Sequence, residues 1–346
     1  MSPPDGEGDL AATPPPNSAT QPPAPPATRP GAGTFTIEGR AAPGLFVVGW
    51  LGTLIGGVVL FVSLQTAPGP AQLALFIGGL ALLSLGLIAA AGSQAIERRA
   101  RGVTPYHGPS PVLVFIAVIP TSAVLLVLLG VPLQLAGIDL DGPLVAVIGL
   151  LIQVAVYVLL VRLLVVDTGS LSWRQMGIRP LDTAALRELA IGAWWGLPVI
   201  FLTAPLAAFL VSVFGVSPDS PLPPAGEPAG VALNLVAGAV LAPIGEELFF
   251  RGFATTAWVI RFGATRGVVL GGVVFAFVHV LSIQATTFEQ GLPMALIGFL
   301  SRVPIGLALG WLFIRRGSIW APLGLHAAFN AILLVIAETV SRTAPA

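Results

Sequence analysis

Residues 110–136 read SPVLVFIAVIPTSAVLLVLLGVPLQLA, a long run that contains no charged side chain. About 20 predominantly apolar residues suffice to cross the hydrocarbon core of a bilayer as an α-helix, so this run predicts a transmembrane helix. Eight further stretches have the same character, and several contain Gly or Pro, which membrane helices tolerate where neighbouring helices satisfy the backbone. The predicted helices span residues 44–66, 71–93, 110–136, 143–166, 189–215, 230–262, 264–288, 291–314 and 318–340.

The composition of the whole chain agrees with a membrane protein. Of its 346 residues, 55% are hydrophobic and only 9% are charged, whereas a soluble domain carries about 25% charged residues. The predicted fold is therefore all-α, a polytopic membrane bundle of about nine transmembrane helices. The formal net charge is zero, which argues against a nucleic-acid partner, and the lack of cysteine excludes disulfides, thiolate metal sites and a cysteine nucleophile.

Composition separates two regions ahead of the last five predicted helices. Residues 1–43 are rich in Pro and Ala, lack the basic and apolar parts of a cleavable signal peptide, and predict a disordered tail. Residues 44–188 hold the first four predicted helices and end in the polar stretch 167–188. That stretch is too polar to span a membrane and predicts an amphipathic connector with Trp173 and Met176 toward lipid.

Arginine is unevenly distributed among the predicted loops. Alternate loops carry several arginines each, whereas the loops between them carry none. By the positive-inside rule, the arginine-rich loops and the N-terminal tail face the cytoplasm. We therefore predict a multi-pass protein of the cell (plasma) membrane with a cytoplasmic N-terminus and the C-terminus on the other side. The arginines concerned are Arg29, Arg40, Arg98, Arg99, Arg101, Arg174, Arg179, Arg187, Arg261, Arg266, Arg315 and Arg316.

Charged side chains inside the sixth predicted helix indicate a functional site, because such charges are costly in a membrane. Residues 240–253 read VLAPIGEELFFRGF, with two adjacent glutamates and an arginine. Glu247 and Arg251 lie four residues apart on one helix face and can form an ion pair. Glu246 is rotated by about 100° from that pair and can face another helix. A poorly solvated carboxylate of this kind suits general acid–base catalysis.

Two of the three histidines also lie within apolar predicted helices. His279 follows Phe275 by one turn on the seventh helix, and His326 precedes Asn330 by one turn on the ninth. Two imidazoles and an amide near a glutamate can activate a water and stabilise an oxyanion. The chain has no HExxH zinc motif, no GxSG-like serine nucleophile near a membrane histidine and no pair of intramembrane aspartates, so other classes of intramembrane protease lack support.

These motifs resemble those of the CAAX prenyl endopeptidase family, also called the CPBP or Abi intramembrane proteases. The resemblance covers about residues 190–340 and implies that residues 189–340 form a CAAX-protease-like catalytic helix bundle. The stretch RRGSIWAPLGLHAAFNA around the last motif is also similar to the family's usual sequence. The three motifs are Glu246-Glu247-x-x-x-Arg251, Phe275-x-x-x-His279 and His326-x-x-x-Asn330.

The resemblance implies an intramembrane endopeptidase that hydrolyses peptide bonds of membrane-embedded or lipidated substrates. It implies that Glu246 activates the water with help from His279, and that His326 and Asn330 hold the water or stabilise the oxyanion. The implied supporting residues are Glu247, Arg251 and Phe275. Glu246, His279 and His326 can also bind Zn²⁺ with an open position, so metal dependence stays open at this stage, with a lean toward a metal-independent mechanism.

Arg302, within the eighth predicted helix, is outside the three motifs. Its predicted role is either an ion pair with Glu289, Glu246 or Glu247, or a contact with a substrate carboxylate. Two other functions stay open for the chain: a non-proteolytic membrane immunity or scaffold protein of the same family, and a proton-coupled transporter built on the intramembrane Glu, His and Arg residues.

Overall fold

A computed structural model describes residues 36–102, 104–140, 142–217 and 222–343. Residues 1–35, which make up most of the predicted tail, lie outside these ranges. Within the described ranges the chain is all-α without strands, and nine of its helices are long and apolar enough to cross a membrane. These helices are α1 (Pro43–Gln65), α2 (Pro70–Arg101), α3 (Pro111–Leu135), α4 (Pro143–Val166), α5 (Thr183–Phe214), α6 (Pro228–Phe262), α7 (Ala264–Ser282), α8 (Phe288–Arg316) and α9 (Trp320–Thr343).

The predicted fold class is confirmed, but several helix ends differ from the prediction. Helix α2 continues through its charged end, where Arg101 pairs with Glu97 one turn earlier at 2.6 Å. It stops at Gly102, whose φ of 63° is a conformation that glycine adopts without strain. Helix α7 ends at Ser282 rather than 288, since the chain tightens into a 3₁₀ turn from His279 onward. Hydrophobicity alone locates a span but not the polar turns that extend or end it.

The prediction that Met176 of the connector faces lipid is wrong. Residues 167–182 form turns, because Gly169 and Gly177 take positive φ values of 68° and 73° that end regular helix. Met176 is fully buried instead of facing lipid. It packs beside Gly252 of α6, where an added Cβ would lie 3.6 Å from the Met176 Cβ. The segment between α4 and α5 therefore closes the protein core around α6.

Glycines allow the closest helix pairs of the bundle. Between α1 and α2, a Cβ on Gly56 would lie 2.3 Å from the Leu83 nitrogen, so the two backbones touch there. Between α5 and α9, a Cβ on Gly192 would lie 1.8 Å from the Ala321 carbonyl oxygen. Such close backbone packing is typical of membrane helices, where van der Waals contact replaces the hydrophobic driving force. The α5–α9 contact also fixes the start of α9, which carries His326.

Helix α6 lies at the centre of the core and departs twice from regular α-helix. It contains π-helical segments at Val236–Leu241 and Glu247–Thr255. Its phenylalanines pack against the N-terminal helices, with the Phe249 ring 5.8 Å from Phe115 of α3 and 5.0 Å from Tyr157 of α4. A π-helical turn rotates the following side chains relative to an α-helix, and such turns often occur at functional sites. The second π segment begins at the glutamate pair.

Reporter cysteines test the predicted orientation, because the wild-type chain has none. Ala100 lies exposed near the end of α2, and Thr343 lies exposed at the end of α9. We expect Ala100→Cys to react with an impermeant maleimide only from the cytoplasmic face of sealed vesicles, and Thr343→Cys only from the opposite face. Labelling of both positions from the same face would contradict the arginine-based orientation.

Candidate active site

A fully buried carboxylate organises the candidate site. The Glu247 side chain is 0% exposed, and its Oε1 accepts hydrogen bonds from Arg251 Nη1 at 3.0 Å and from His326 Nδ1 at 2.8 Å. Arg251 is also buried, and its other terminal nitrogen donates to the Gly306 carbonyl of α8 at 3.4 Å. The ion pair expected from the spacing of Glu247 and Arg251 is therefore present. It also links three helices, α6, α8 and α9.

Phe275 lies between the arginine and both histidines. The Arg251 guanidinium carbon stands 4.2 Å from the centre of the Phe275 ring, in cation–π geometry. The same ring meets the His279 ring edge-on at 4.6 Å and the His326 ring at 5.6 Å. Phe275 thus acts as a rigid spacer that fixes the imidazoles of α7 and α9 relative to α6.

Glu246 faces both histidines. Its Oε2 lies 3.7 Å from His279 Nε2 and 3.7 Å from His326 Nε2. Its side chain is 20% exposed, in contrast to the enclosed Glu247. The adjacent glutamates therefore point in different directions, one toward the structural arginine and one toward the imidazole pair.

The hydrogen bonds of the two imidazoles define which nitrogen carries the proton. His279 Nδ1 lies 2.7 Å from the Phe275 carbonyl oxygen, and a carbonyl can only accept, so Nδ1 donates. His326 Nδ1 likewise donates to the Glu247 carboxylate, which is paired with Arg251. With a proton on Nδ1, each neutral ring has a lone pair on Nε2. Both lone pairs are thus directed toward the Glu246 carboxylate.

Glu246 Oε2 is shielded from solvent and accepts no hydrogen bond within the described part of the chain. A carboxylate oxygen without a protein donor retains its basicity, which suits it to accept a proton from a reacting group. The arrangement is therefore chemically able to bind one water and remove its proton.

Two residues singled out from the sequence form their hydrogen bonds with backbone carbonyls rather than with this cluster. The Asn330 side-chain amide donates to the Gly238 carbonyl at 2.8 Å, which lies in the first π segment of α6. Arg302 donates to the Gly298 carbonyl of its own helix at 3.0 Å. Its predicted ion pair with a glutamate is not formed, as none of the carboxylates in the described ranges lies within 4 Å of it.

One neighbour of Glu246 was not identified from the sequence. Tyr157 of α4 is 3% exposed, and its ring packs beside Gly245, where an added Cβ would lie 3.1 Å from the ring. The phenol is close enough to Glu246 to interact with it electrostatically. No signal in the sequence distinguishes this tyrosine, because it lies within an apolar run of the N-terminal half.

The three side chains considered as zinc ligands do not form a recognisable metal site. Within the described residues, no group of three or more His, Cys, Asp or Glu side chains has an arrangement that could hold a metal ion. Glu246, His279 and His326 do converge, but through one carboxylate oxygen and two nitrogens that lie 3.7 Å from it. Support for a metalloprotease is therefore lacking.

Fold and site together define a multi-pass membrane protein with a buried Glu–Arg–His cluster between its C-terminal helices. Residues 228–332 match the family model of Rce1-like proteins, described as type II CAAX prenyl endopeptidase Rce1-like. The resemblance inferred from the three motifs is thereby confirmed, and the matched part contains all seven motif residues. No curated protein and no solved structure matched the chain.

Replacing Glu247 by Gln should destabilise the protein. The amide can still accept one hydrogen bond, but Arg251 then lies buried without a counter-charge, a change that typically costs about 3–5 kcal/mol. We expect a marked fall in the free energy of unfolding of Glu247→Gln in detergent micelles, followed by denaturant titration. Glu289→Gln is the matched control, because Glu289 lies exposed at the start of α8. Equal stability of the two variants would refute the structural role of Glu247.

Proposed function

We propose that this protein is an intramembrane endopeptidase that hydrolyses peptide bonds of membrane-associated substrates through a water activated by Glu246. The observation that supports this most directly is the position of Glu246 Oε2, equidistant at 3.7 Å from the Nε2 atoms of His279 and His326. The match of residues 228–332 to type II CAAX prenyl endopeptidases points to the same reaction class.

In the proposed reaction, a water between Glu246 and the imidazoles attacks the carbonyl carbon of the scissile bond. Glu246 takes one proton from that water, and the Nε2 lone pair of one of the two imidazoles accepts a hydrogen bond from its second O–H and holds the water in place. The proton then passes to the leaving amide nitrogen, directly or through an imidazole. An imidazole protonated in this way can also donate a hydrogen bond to the oxyanion, a role that the free amide hydrogen of Asn330 can share.

Glu247 and Arg251 act on the reaction through His326. The bond from Glu247 to Nδ1 holds the ring orientation and keeps the proton away from Nε2, as a carboxylate does for histidines in many enzyme sites. Arg251 pairs with Glu247 and holds its carboxylate in place. We propose these two as positioning residues rather than as groups that touch the substrate.

The substrate is proposed to be a membrane-embedded or lipidated peptide that enters from the cytoplasmic side. The arginine-rich loops support that side, and the family description supports a prenylated peptide as the probe. Plasma-membrane location and the cytoplasmic N-terminus belong to the same proposal. Residues 189–340 are proposed as the catalytic helix bundle, with residues 44–188 as its supporting helices.

Glu246→Gln should abolish cleavage and leave the fold intact. The amide cannot accept the water proton, yet Glu246 takes no part in the buried Glu247–Arg251 pair. We expect at least a 1,000-fold loss of kcat on a prenylated CAAX peptide, roughly the contribution of general base catalysis at its upper range. Unfolding and detergent-gel filtration should match the wild type.

Exposed Glu289→Gln is the control and should retain full activity. Near-wild-type cleavage by Glu246→Gln would remove Glu246 from the mechanism. A folded wild-type protein that cleaves no membrane peptide would instead favour the non-proteolytic immunity or scaffold function.

Metal dependence is tested by prolonged chelation of the purified protein. We propose a metal-independent glutamate mechanism, since a water can be held by hydrogen bonds to a carboxylate and an imidazole alone. Activity is then expected to survive chelation, with far less than one equivalent of metal per chain. Complete loss of activity on chelation, with recovery when Zn²⁺ is added, would contradict the metal-independent mechanism.

A further inference from the structure

Arg302 is a cation at the middle of a membrane helix. It lies fourteen residues from either end of α8 (Phe288–Arg316), which corresponds to about 21 Å of helix on each side. Half of a hydrocarbon core is about 15 Å thick, so an arginine at the centre of a helix that is centred in the bilayer lies too deep to reach either interface with its side chain. A charge at this depth is costly and is usually matched by a partner or used in function.

No protein carboxylate within the described ranges lies close enough to Arg302 to form an ion pair with it. Its Nη1 donates to the Gly298 carbonyl of its own helix at 3.0 Å, which leaves most of its N–H groups unused. Two other arginines, one in the candidate site and one at the end of α8, do form ion pairs with carboxylates. Arg251 pairs with Glu247, and Arg316 at the end of α8 pairs with Glu188. Arg302 is half-buried, so part of its side chain remains accessible.

The guanidinium lies at the level of the candidate site. Helices α7 and α8 cross at Gly272 and Gly306, where an added Cβ on Gly272 would lie 3.0 Å from the Gly306 carbonyl carbon. His279 is seven residues beyond this crossing on α7, about 10 Å along the axis. The Arg302 side chain reaches back to Gly298, eight residues beyond the crossing on α8, about 12 Å along the axis. Cation and imidazole therefore lie at nearly equal depth.

Electrostatics agree with this placement. Arg302 is close enough to interact with the charge of Glu246 and with His279, although it pairs with neither. A fixed cation thus stands near the Glu246–His pair without forming an ion pair with it.

We propose that Arg302 binds the C-terminal carboxylate of the peptide substrate and thereby selects a scissile bond near the chain end. The proposal rests on the proposed peptidase function and adds a specificity-determining residue to it. Guanidinium groups bind carboxylates through paired, charge-assisted hydrogen bonds. A terminal carboxylate is the one anionic group that an otherwise apolar peptide end always carries. Its binding would also neutralise the unmatched charge in the membrane.

The test compares one membrane peptide in two forms, with a free C-terminal acid and with a C-terminal amide. Wild-type protein is expected to cleave the acid with a kcat/KM roughly 10- to 100-fold above that of the amide, since a charge-assisted hydrogen bond has that effect on binding. Arg302→Gln should lower kcat/KM for the acid peptide to the value for the amide peptide, mainly by raising KM. Cleavage of the amide peptide should be unchanged. Arg302→Lys should keep part of the preference for the acid.

Arg315→Gln is the control on the same helix, because Arg315 is exposed near its end; it should retain the wild-type preference. Equal cleavage of acid and amide by the wild type would overturn the proposal while leaving the peptidase function standing. An equal loss on both peptides in a folded Arg302→Gln protein would also overturn it, since the residue would then act on the catalytic groups. Cleavage of neither peptide by the wild type would overturn the peptidase function, and this proposal with it.

Discussion

The buried bonds of Glu247 are the constraint on which the rest of the site depends. One carboxylate oxygen accepts from Arg251 on its own helix and from His326 on α9. A buried ion pair contributes little net stability compared with an apolar core, because both charges lose their hydration. Its value here is geometric: it fixes α9 against α6 and sets the proton of His326 on Nδ1. Glu246 is thereby left as the carboxylate that can react.

The backbone of α6 contributes to the same division of roles. Glu246 is the last residue of an α-helical turn, and the π-helical segment Glu247–Thr255 begins with the next residue. The change from α- to π-helix therefore falls between the two glutamates. The upstream π segment presents the Gly238 carbonyl, which Asn330 uses. Irregular turns in a membrane helix leave backbone groups to be satisfied by neighbours, and here α9 supplies that partner. Helix α9 is therefore hydrogen-bonded to α6 at two positions, through His326 and through Asn330.

Much of this arrangement could be predicted from the sequence, for identifiable reasons. Charges are so rare in the apolar helices that Glu246, Glu247, Arg251 and the two histidines are conspicuous, and helical spacing predicts the Glu247–Arg251 pair. The different directions of the two glutamates also follow from helical rotation. The number of membrane helices follows from the length and apolarity of each run.

Other features depend on tertiary contacts that no local pattern reveals. The bond of Asn330 to Gly238 requires a π turn, which a period of 3.6 residues does not predict. Met176 was assigned to lipid because it lies in a polar connector, yet that connector folds over Gly252 into the core. Tyr157 lies beside Gly245 only because α4 packs against α6 there. The lack of an ion-pair partner for Arg302 can also be recognised only once the positions of the nearby carboxylates are known.

The central claim is that both imidazoles present an unprotonated Nε2 to Glu246. It is tested most directly by ¹⁵N solid-state NMR of histidine-labelled protein in bilayers, which distinguishes the two ring nitrogens. With only three histidines in the chain, His107→Gln leaves two ring systems to assign. The account predicts that His279 and His326 both carry the proton on Nδ1 and an unprotonated Nε2. A proton on Nε2 of His326, with Nδ1 unprotonated, would contradict its bond to Glu247 and the mechanism built on it.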